Sequence, residues 1–506
     1  LTISNGVFAL VANNVTSVGS LNMTGTSITG TGTLTLAGDV TTNASGTTAS
    51  INSPIALGAA TRTFTVPDGG ATPDLTLSSD ISGAPGIIKA GAGLLNVFGA
   101  NSYTGLTSIS AGTFRIGSGS ALGATVSGTS IANGAALDLN GINYAAAEAL
   151  TINGTGIASG GAIFNGSVAL ATFAGTISLG SASSIVANNP ITIPASFTTG
   201  FDLTKGGSST LSFTSNPVNL INLIVSVGGL TSTSGTLTVS GNFNNSGTFN
   251  NNSGTVHYNG AAPQTVASVT YNNLTLSSAG QKNGGGAITV SGNLTNSSIF
   301  DLGANTLSVS GTINNTGGDI RFTGATNGIA TSTGIVTYYG ASQTIATGTY
   351  NDLVINQSGG QASLGAAVAV NGVLMMSNGI LNLNGFDLTL GTLASISIAS
   401  PTAAKMIVAS GGNQLIKTFG SPESFTFPIG DNSGSLEYSP ITVNVTAGGF
   451  PANLGVSVSD AKHPNNSSST NFLTRYWEIN SNITGGIATI SATYPNADIT
   501  GVEGSI

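Results

Sequence analysis

Three carboxylates fall within residues 68–80, in the segment PDGGATPDLTLSSD. They are Asp68, Asp74 and Asp80. Two carboxylates at a suitable separation can serve as the acid and base of glycoside hydrolysis, and a group of carboxylate oxygens can hold Ca²⁺. Pro-Asp-Gly is also a common turn sequence, in which aspartate only caps the backbone. The segment is therefore compatible with a hydrolase pair, a structural Ca²⁺ site or three turn caps.

A polysaccharide lyase would also need a cation to stabilise an enolate, and arginine is the first candidate. Among the arginines only Arg62 is close in sequence to the three carboxylates. The lyase interpretation is therefore weaker than the turn-cap interpretation. The four arginines are Arg62, Arg115, Arg321 and Arg475.

The remaining reactive groups are sparse. His257 and His463 are far apart in sequence, and neither has a second histidine at a metal-ligand spacing, so neither a metal site nor a Ser-His-Asp triad is predicted. The chain has no cysteine, which excludes disulfides and thiol nucleophiles. The glycine run 283–286 is not followed by a Walker Lys-Ser/Thr pair and does not predict a phosphate loop. We predict no catalytic, cofactor-binding or metal-binding residue, and no enzyme.

Composition narrows the class of protein further. Only 6% of the 506 residues are charged, the net charge is −8, and 73 residues are glycine. No Lys/Arg stripe is present to neutralise phosphates, which argues against nucleic acid and against an electrostatic membrane anchor. The apolar runs are far shorter than the ~20 residues that span a bilayer, so no membrane insertion is expected.

The elements that would position any site are short strands. Apolar residues alternate with Thr or Ser in triplets that are bounded by Gly, Asn or Ser, which is typical of half-buried β-strands. The chain is therefore predicted to be all-β. The triplets are Leu34–Leu36, Leu75–Leu77, Leu237–Val239, Leu274–Leu276, Leu307–Val309 and Leu388–Leu390.

Internal repeats favour one all-β architecture. VHYNGAAPQTVASVTYNNLTLS from Val256 is repeated as VTYYGASQTIATGTYNDLVIN from Val336, so that Gln264 corresponds to Gln343 and Tyr271 to Tyr350. We define related repeat blocks over 236–313 and 306–395. An array of β-sandwiches or barrels would need longer hairpin-linked strands, whereas brief strands with tight bends favour a parallel β-helix. We expect a right-handed parallel β-helix, or β-solenoid, over residues 1–410.

The C-terminal part, residues 411–506, has a different pattern. Charged residues are commoner there, and Phe425 to Ala447 alternates over longer strands. This pattern predicts a small β-sandwich with Trp477 in its core. The strand-and-turn pattern breaks off at Ile506, so the sandwich is expected to be incomplete.

The segment IIKAGAGLLNVFGANSYTGLTSISAGTFRIG, residues 87–117, resembles the autotransporter-associated β-strand repeat. In that family the repeat forms part of a β-helical passenger in large secreted or surface proteins. We expect Asn101 to bond to a neighbouring strand, and Gly105 and Gly112 to allow bends. The motif positions are Lys89, Gly91, Gly93, Leu95, Val97, Gly99, Asn101, Tyr103, Thr104, Gly105, Ala111, Gly112 and Thr113, with Phe114 where the family has Leu. The residues expected to pack inward are Tyr103, Leu106, Ile109, Phe114 and Ile116.

The later blocks and the segment from FTFPIGDN to RYWEI are similar to parts of giant surface proteins of Bacteroidota, which are exported by the type IX system. That resemblance implies an extracellular or outer-surface location. The expected partners are other surface or secretion-system proteins, further copies of the chain, and glycans.

We therefore expect a structural or adhesive surface rod or filament segment. The alternatives are a carbohydrate-active β-helix enzyme and a carbohydrate-binding module, and for the latter the pair Tyr338-Tyr339 offers rings on which sugars could stack.

Overall fold

The computed structural model describes residues 1–4, 6–11, 16–194, 196–214, 216–324, 329–331 and 333–506. Residues 325–328 and 332, inside the second predicted repeat block, lie outside the described residues. The regular secondary structure of the described chain is almost entirely β-strand, with 3₁₀ turns at Ile157–Ser159, Asn496–Asp498 and Glu503–Ser505. In this part of the chain no helix has the length and apolar character needed to cross a membrane. The chain divides into two compact units, residues 1–260 with 270–273 and residues 261–269 with 274–506.

The first unit is a succession of short strands. Its strands are β1 Thr2–Ile3, β2 Val7–Leu10, β3 Thr16–Val18, β4 Leu21–Met23, β5 Ser27–Gly30, β6 Leu34–Leu36, β7 Val40–Thr42, β8 Ala49–Ile51, β9 Ile55–Ala56, β10 Arg62–Thr65, β11 Leu75–Leu77, β12 Ile81–Ser82, β13 Ile87–Ala90, β14 Leu94–Val97, β15 Thr107–Ile109, β16 Gly112–Ile116, β17 Thr129–Ile131, β18 Ala135–Asp138, β19 Asn143–Tyr144, β20 Leu150–Gly154, β21 Ile163–Phe164, β22 Ala171–Phe173, β23 Ile177–Val186, β24 Ile191–Ile193, β25 Phe197–Thr199, β26 Leu203–Gly206, β27 Thr210–Phe213, β28 Val218–Leu220, β29 Leu223–Val225, β30 Gly229–Thr231, β31 Thr236–Val239, β32 Phe243–Asn245, β33 Thr248–Asn250, β34 Thr255–Tyr258 and β36 Thr270–Tyr271.

The second unit has short strands like those of the first unit and also contains longer ones. Its strands are β35 Gln264–Val266, β37 Asn273–Leu276, β38 Lys282–Gly284, β39 Ile288–Val290, β40 Leu294–Asn296, β41 Ile299–Asp301, β42 Leu307–Val309, β43 Ile313–Asn314, β44 Asp319–Phe322, β45 Ile335–Tyr338, β46 Gln343–Ile345, β47 Gly348–Tyr350, β48 Asp352–Leu364, β49 Val368–Val370, β50 Val373–Asn382, β51 Leu388–Leu390, β52 Ser395–Ile398, β53 Ile407–Val408, β54 Leu415–Phe419, β55 Glu423–Phe427, β56 Ile429–Asp431, β57 Glu437–Tyr438, β58 Ile441–Ala447, β59 Ala452–Ser459, β60 Phe472–Leu473, β61 Tyr476–Ser481, β62 Ile487–Ala492 and β63 Ile499–Thr500.

Parallel, in-register pairing builds the first unit into a β-solenoid. Ile109 of β15 aligns with Ile131 of β17, which aligns with Ile152 of β20, and all three side chains are buried. Each alignment joins residues about twenty positions apart. One turn of the solenoid therefore takes about twenty residues, and each such turn is a rung. Because side chains alternate between the two faces of a strand, every second residue enters the interior and stacks on its equivalent in the next rung. The β-solenoid predicted from the sequence is confirmed.

The second unit begins with the same arrangement. Its β41, β44, β45, β48 and β50 pair in parallel and stack a buried apolar column. The hydroxyl groups of Tyr338 and Tyr350 lie 3.0 Å apart within the interior, and in the first unit those of Tyr258 and Tyr271 are also 3.0 Å apart. The buried column is Phe300, Ile320, Val336, Leu353 and Leu374.

Strand pairing becomes antiparallel near the C-terminus. β54 pairs in parallel with β51 on one side and antiparallel with β59 on the other, so this sheet extends directly from the solenoid. β55, β58 and β62 form a separate antiparallel sheet. The sandwich over residues 411–506 and its boundary remain predictions. Trp477 is only half-buried on β61, and its indole nitrogen donates to the Ser439 carbonyl, so the expectation that it lies in a core was wrong.

The segment 87–117 packs largely as expected. Tyr103, Ile109, Phe114 and Ile116 are fully buried. Leu106 is 44% exposed, which corrects its assignment to the interior. The reason is register: Thr107 and Ile109 point inward on β15, so that Leu106, immediately before Thr107, points outward.

The polar and glycine positions of this segment also have clear roles. Asn101 accepts a hydrogen bond from the Ile81 amide and donates to the Ala121 carbonyl, so it joins the rungs on either side. Gly112 adopts a φ of 68°, which favours glycine. Gly105 has no such angle. A Cβ there would lie 2.1 Å from the Gly86 nitrogen, so close packing of the backbone requires glycine.

Candidate functional site

A groove of about 370 Å³ lies on the outer face of the solenoid in the second unit. It is formed where the outward residues of five successive rungs align. Asp301 aligns with Arg321, Arg321 with Thr337, Thr337 with Val354, and Val354 with Met375. The lining residues are Asp301, Asp319, Arg321, Ile335, Thr337, Tyr339, Val354, Asn356 and Met375.

Charged groups in the groove are held in place by hydrogen bonds. Arg321 Nε donates to Asp319 Oδ2 at 2.7 Å, and Thr337 Oγ1 donates to Asp319 Oδ1 at 2.9 Å. Tyr339 donates its hydroxyl to Asp301 Oδ1 at 2.6 Å, across 38 positions of sequence. The Arg321 side chain keeps 35% of its surface exposed, so solvent still reaches this side chain.

Tyr339 acts as a fixed, neutral hydrogen-bond donor. Burial, the hydrogen bond to Asp301 and the charge of that carboxylate all raise its pKa, and Arg321 opposes them only in part. Its ring is half-buried, and Met375 is 41% exposed within the same groove. The groove therefore combines carboxylate acceptors, a guanidinium donor and an apolar wall, which together can bind a polar ligand.

The three N-terminal carboxylates are not brought together as a metal site. In the described residues, three His, Asp or Glu side chains have ligand atoms within 4.8 Å of one another only at Asp431, Glu437 and Asp460. Asp74 is buried and accepts hydrogen bonds from the amides of Gly69 and Leu94, both at 2.8 Å.

The other two carboxylates of that segment are exposed. Asp80 accepts from the Ala100 amide at 2.7 Å, while Asp68 is exposed on a loop. Arg62 Nε donates to the Leu57 carbonyl at 2.7 Å, so this nitrogen is taken up by the backbone and not by an aspartate. Asp74 and Asp80 therefore act as backbone caps, which agrees with the turn-cap alternative.

The two histidines lie in unrelated surroundings. His257 sits on β34, in the outward position aligned with Thr238. His463 is exposed, accepts from the Asn465 amide through Nδ1 and packs edge-on against Tyr476. The predicted lack of a triad or histidine metal site stays a prediction.

Four carboxylates surround Arg475 in the second unit. Its guanidinium bonds to Asp431, to Glu437 and, at 2.6 Å, to Asp498, and Asp460 lies 3.8 Å away. The side chains of Arg475, Asp431 and Asp498 are almost completely buried. The guanidinium fills the place that a bound cation would take among Asp431, Glu437 and Asp460, so this cluster can be satisfied without a metal.

Four lysines occupy the interior, which the sequence analysis did not predict. Lys89 takes a place in a buried column between Phe64 and Ile109. Its Nζ donates to the carbonyls of Ala90, Gly91 and Ala111 at 3.1, 2.6 and 2.9 Å. Burial lowers the pKa of Lys89 to about 8, and Asp74 partly opposes that change. The four lysines are Lys89, Lys205, Lys282 and Lys417.

Lys205 repeats the arrangement of Lys89. Its Nζ donates to the carbonyls of Gly207, Ser209 and Val227 at 2.6, 2.6 and 2.7 Å. In both cases the glycine two positions after the lysine has a positive φ, 77° at Gly91 and 79° at Gly207. The sequence signal for these two buried lysines was a glycine two residues after the lysine, because glycine readily adopts a positive φ.

The fold and the segment 87–117 define a β-solenoid that contains a passenger-type repeat. A family model described as passenger-associated-transport-repeat matches residues 87–116, which confirms the resemblance predicted from the motif. The chain is also similar to the adhesin BmaC autotransporter of Brucella suis biovar 1 (strain 1330), with 30% identity over 348 residues. The match covers 65% of this chain and 9% of that relative. No solved structure matches.

Proposed function

We propose that this chain is a non-enzymatic, extracellular segment of a surface protein that serves adhesion. The similarity to a protein named as an adhesin autotransporter carries this proposal, and the β-solenoid with its passenger-associated repeat supports it. Stacked rungs satisfy their own backbone and present a regular outer face, which suits repeated weak contacts. Export by a type IX system, an origin in Bacteroidota and assembly into a rod or filament remain predictions from the sequence.

The positions of the candidate catalytic groups support a non-enzymatic role. Both carboxylate oxygens of Asp74 accept hydrogen bonds from backbone amides of the solenoid. A carboxylate bound in this way is poorly placed to exchange a proton with a substrate. A carbohydrate-active enzyme remains the alternative, and no contact of the described residues favours it over adhesion.

Adhesion can be tested with the purified chain coupled to fluorescent beads. We expect the coated beads to bind to cultured mammalian cells or extracellular matrix above the level of beads coated with the heat-unfolded chain. Equal binding by both preparations would contradict the proposal. A parallel screen on a polysaccharide panel addresses the alternative: turnover abolished by Asp68→Asn or Asp74→Asn would identify an enzyme instead.

A further inference from the structure

The groove lies at a place where two equivalent rungs of the chain differ. VHYNG at 256–260 and VTYYG at 336–340 have the same pattern, with Tyr258 and Tyr338 both buried. The following residue is Asn259 in one and Tyr339 in the other. Their amides donate to the equivalent carbonyls of the preceding rung, Val239 at 3.2 Å and Phe322 at 3.1 Å. The two backbones are therefore equivalent at this position.

Strand register extends the comparison to the other groove residues. Thr238 aligns with His257 as Arg321 aligns with Thr337, so Arg321 corresponds to Thr238. Asp319 aligns with Ile335 as Thr236 aligns with Thr255, so Asp319 corresponds to Thr236. One rung earlier, Asp301 corresponds to Asn219.

Short uncharged residues therefore suffice for the fold at all four positions. The first unit builds the same rungs with Asn219, Thr236, Thr238 and Asn259. The carboxylates, the guanidinium and the tyrosine of the second unit are additions that solenoid stacking does not require. Burying and ordering such groups costs free energy, so they call for a role other than folding.

We infer that this groove binds an uncharged saccharide, and this inference rests on the proposed adhesive function. A sugar hydroxyl both donates and accepts, so adjacent hydroxyls can be satisfied by a carboxylate and a guanidinium side by side. Asp301, Asp319 and Arg321 provide this combination. The Tyr339 ring, Val354 and Met375 provide an apolar wall for the C–H face of a pyranose. A groove of about 370 Å³ accommodates a ligand of one or two sugar rings.

Charge selects against other ligand classes. The lining holds two carboxylates and one guanidinium, so its formal charge is −1. An acidic sugar or a phosphate would meet net repulsion. A cationic peptide would be attracted by this net charge, but the guanidinium of Arg321 in the lining of the groove would oppose a lysine or arginine side chain beside it.

Saturation-transfer difference NMR on the full chain tests the inference. The probes are cellobiose, lactose, maltose and N,N′-diacetylchitobiose as neutral sugars, 3′-sialyllactose as an acidic sugar, and a lysine-rich peptide. We expect transfer to at least one neutral disaccharide, and at least a tenfold loss of affinity in Tyr339→Asn and in Arg321→Thr. Both substitutions introduce the residue that the equivalent rung carries, so folding is expected to be retained and is checked by circular dichroism.

Tyr494→Asn is the matched control, because it removes a tyrosine of the same unit outside the groove, and it should keep full binding. Transfer only to the acidic sugar or the peptide, transfer to no probe, or undiminished binding by Tyr339→Asn would overturn the inference. The bead assay separates this result from the broader proposal. If no sugar binding is found by NMR and beads carrying the wild-type chain still adhere, the saccharide groove is rejected while the adhesion proposal stands.

Discussion

Lys89 Nζ donates a hydrogen bond to the carbonyl oxygen of Ala111, 2.9 Å away on the next rung of the solenoid. The same ammonium also holds the carbonyls of Ala90 and Gly91 on its own rung. A buried lysine thus joins two successive bends of the backbone. Lys205 does the same with Gly207 and Val227, so the arrangement is a repeated part of this fold.

Replacing Lys89 by methionine should destabilise the chain. The substitution keeps a similar volume but removes the three charge-assisted hydrogen bonds that Lys89 donates to backbone carbonyls, at a cost of about 2–4 kcal/mol. Thermal unfolding followed by circular dichroism measures the change. Lys405→Met, at a partly exposed lysine, is the control and should change stability little. Equal stability of Lys89→Met and wild type would contradict this role.

The pH dependence of stability should show the effect of the lowered pKa of Lys89. Because burial lowers the pKa of Lys89 from 10.5 to about 8, the unfolded chain binds more protons than the folded chain between these pH values. The Lys89 contribution to the free energy of unfolding therefore rises with pH over that window, by roughly 2–3 kcal/mol.

The experiment compares denaturant unfolding of wild type and Lys89→Met from neutral pH to pH 10.5. Taking the difference between the two proteins removes the contributions of tyrosines and other lysines. The free energy of unfolding of wild type should rise relative to that of the variant as the pH rises. A difference between the two that does not vary with pH would refute the prediction.

Loss of the Arg475 charge should destabilise the C-terminal strands. Arg475→Met leaves Asp431 and Asp498 buried without a counter-charge, which typically costs about 3–5 kcal/mol. Hydrogen exchange over residues 429–500 should show the loss of protection. Adding Asp498→Asn to the variant should recover part of it, whereas no recovery would mean that lost packing, and not charge, is responsible.

Removal of divalent cations should leave stability unchanged. The carboxylates of Asp431 and Glu437 already bond to Arg475. The melting temperature with millimolar CaCl₂ and with EDTA should therefore agree within about 1 °C, since a ligand specific for the folded state would shift it. A clear rise with CaCl₂ would show that a Ca²⁺ site exists.

Gly105→Ala should be far more damaging than Gly119→Ala. A Cβ at Gly105 would lie 2.1 Å from the Gly86 nitrogen, but at Gly119 the nearest atom, the Asn143 carbonyl oxygen, is 3.5 Å away. Neither glycine has a positive φ, so the comparison isolates steric contact between rungs. We expect a loss of about 1–3 kcal/mol for Gly105→Ala and little change for the control, measured by thermal unfolding. Similar melting temperatures would contradict the packing.

Much of the solenoid could be predicted from alternation. The inward positions of Ile109, Phe114 and Ile116 follow from a period of two, and all three are buried. Leu106 was misassigned because hydrophobicity was given more weight than the phase set by Thr107. Trp477 was misassigned because a large aromatic residue was expected in a core, although its strand leaves it half-buried.

The lysines show a different limit. Lysine is rarely fully buried, and the burial of Lys89 and Lys205 was not predicted. Their burial depends on carbonyls presented by glycines with positive φ, and those carbonyls come together only after the rungs have stacked.

By itself the sequence determined the all-β class, the repeated short strands and the resemblance of residues 87–117 to a passenger repeat, because alternation, turn residues and motif spacing are local properties. Only the tertiary structure decided which residues meet across rungs. Asp301, Arg321 and Tyr339 are about twenty positions apart along the chain, and the lengths of the intervening bends set the register that aligns them. Stacking of whole rungs, which no local pattern specifies, is therefore what forms the groove.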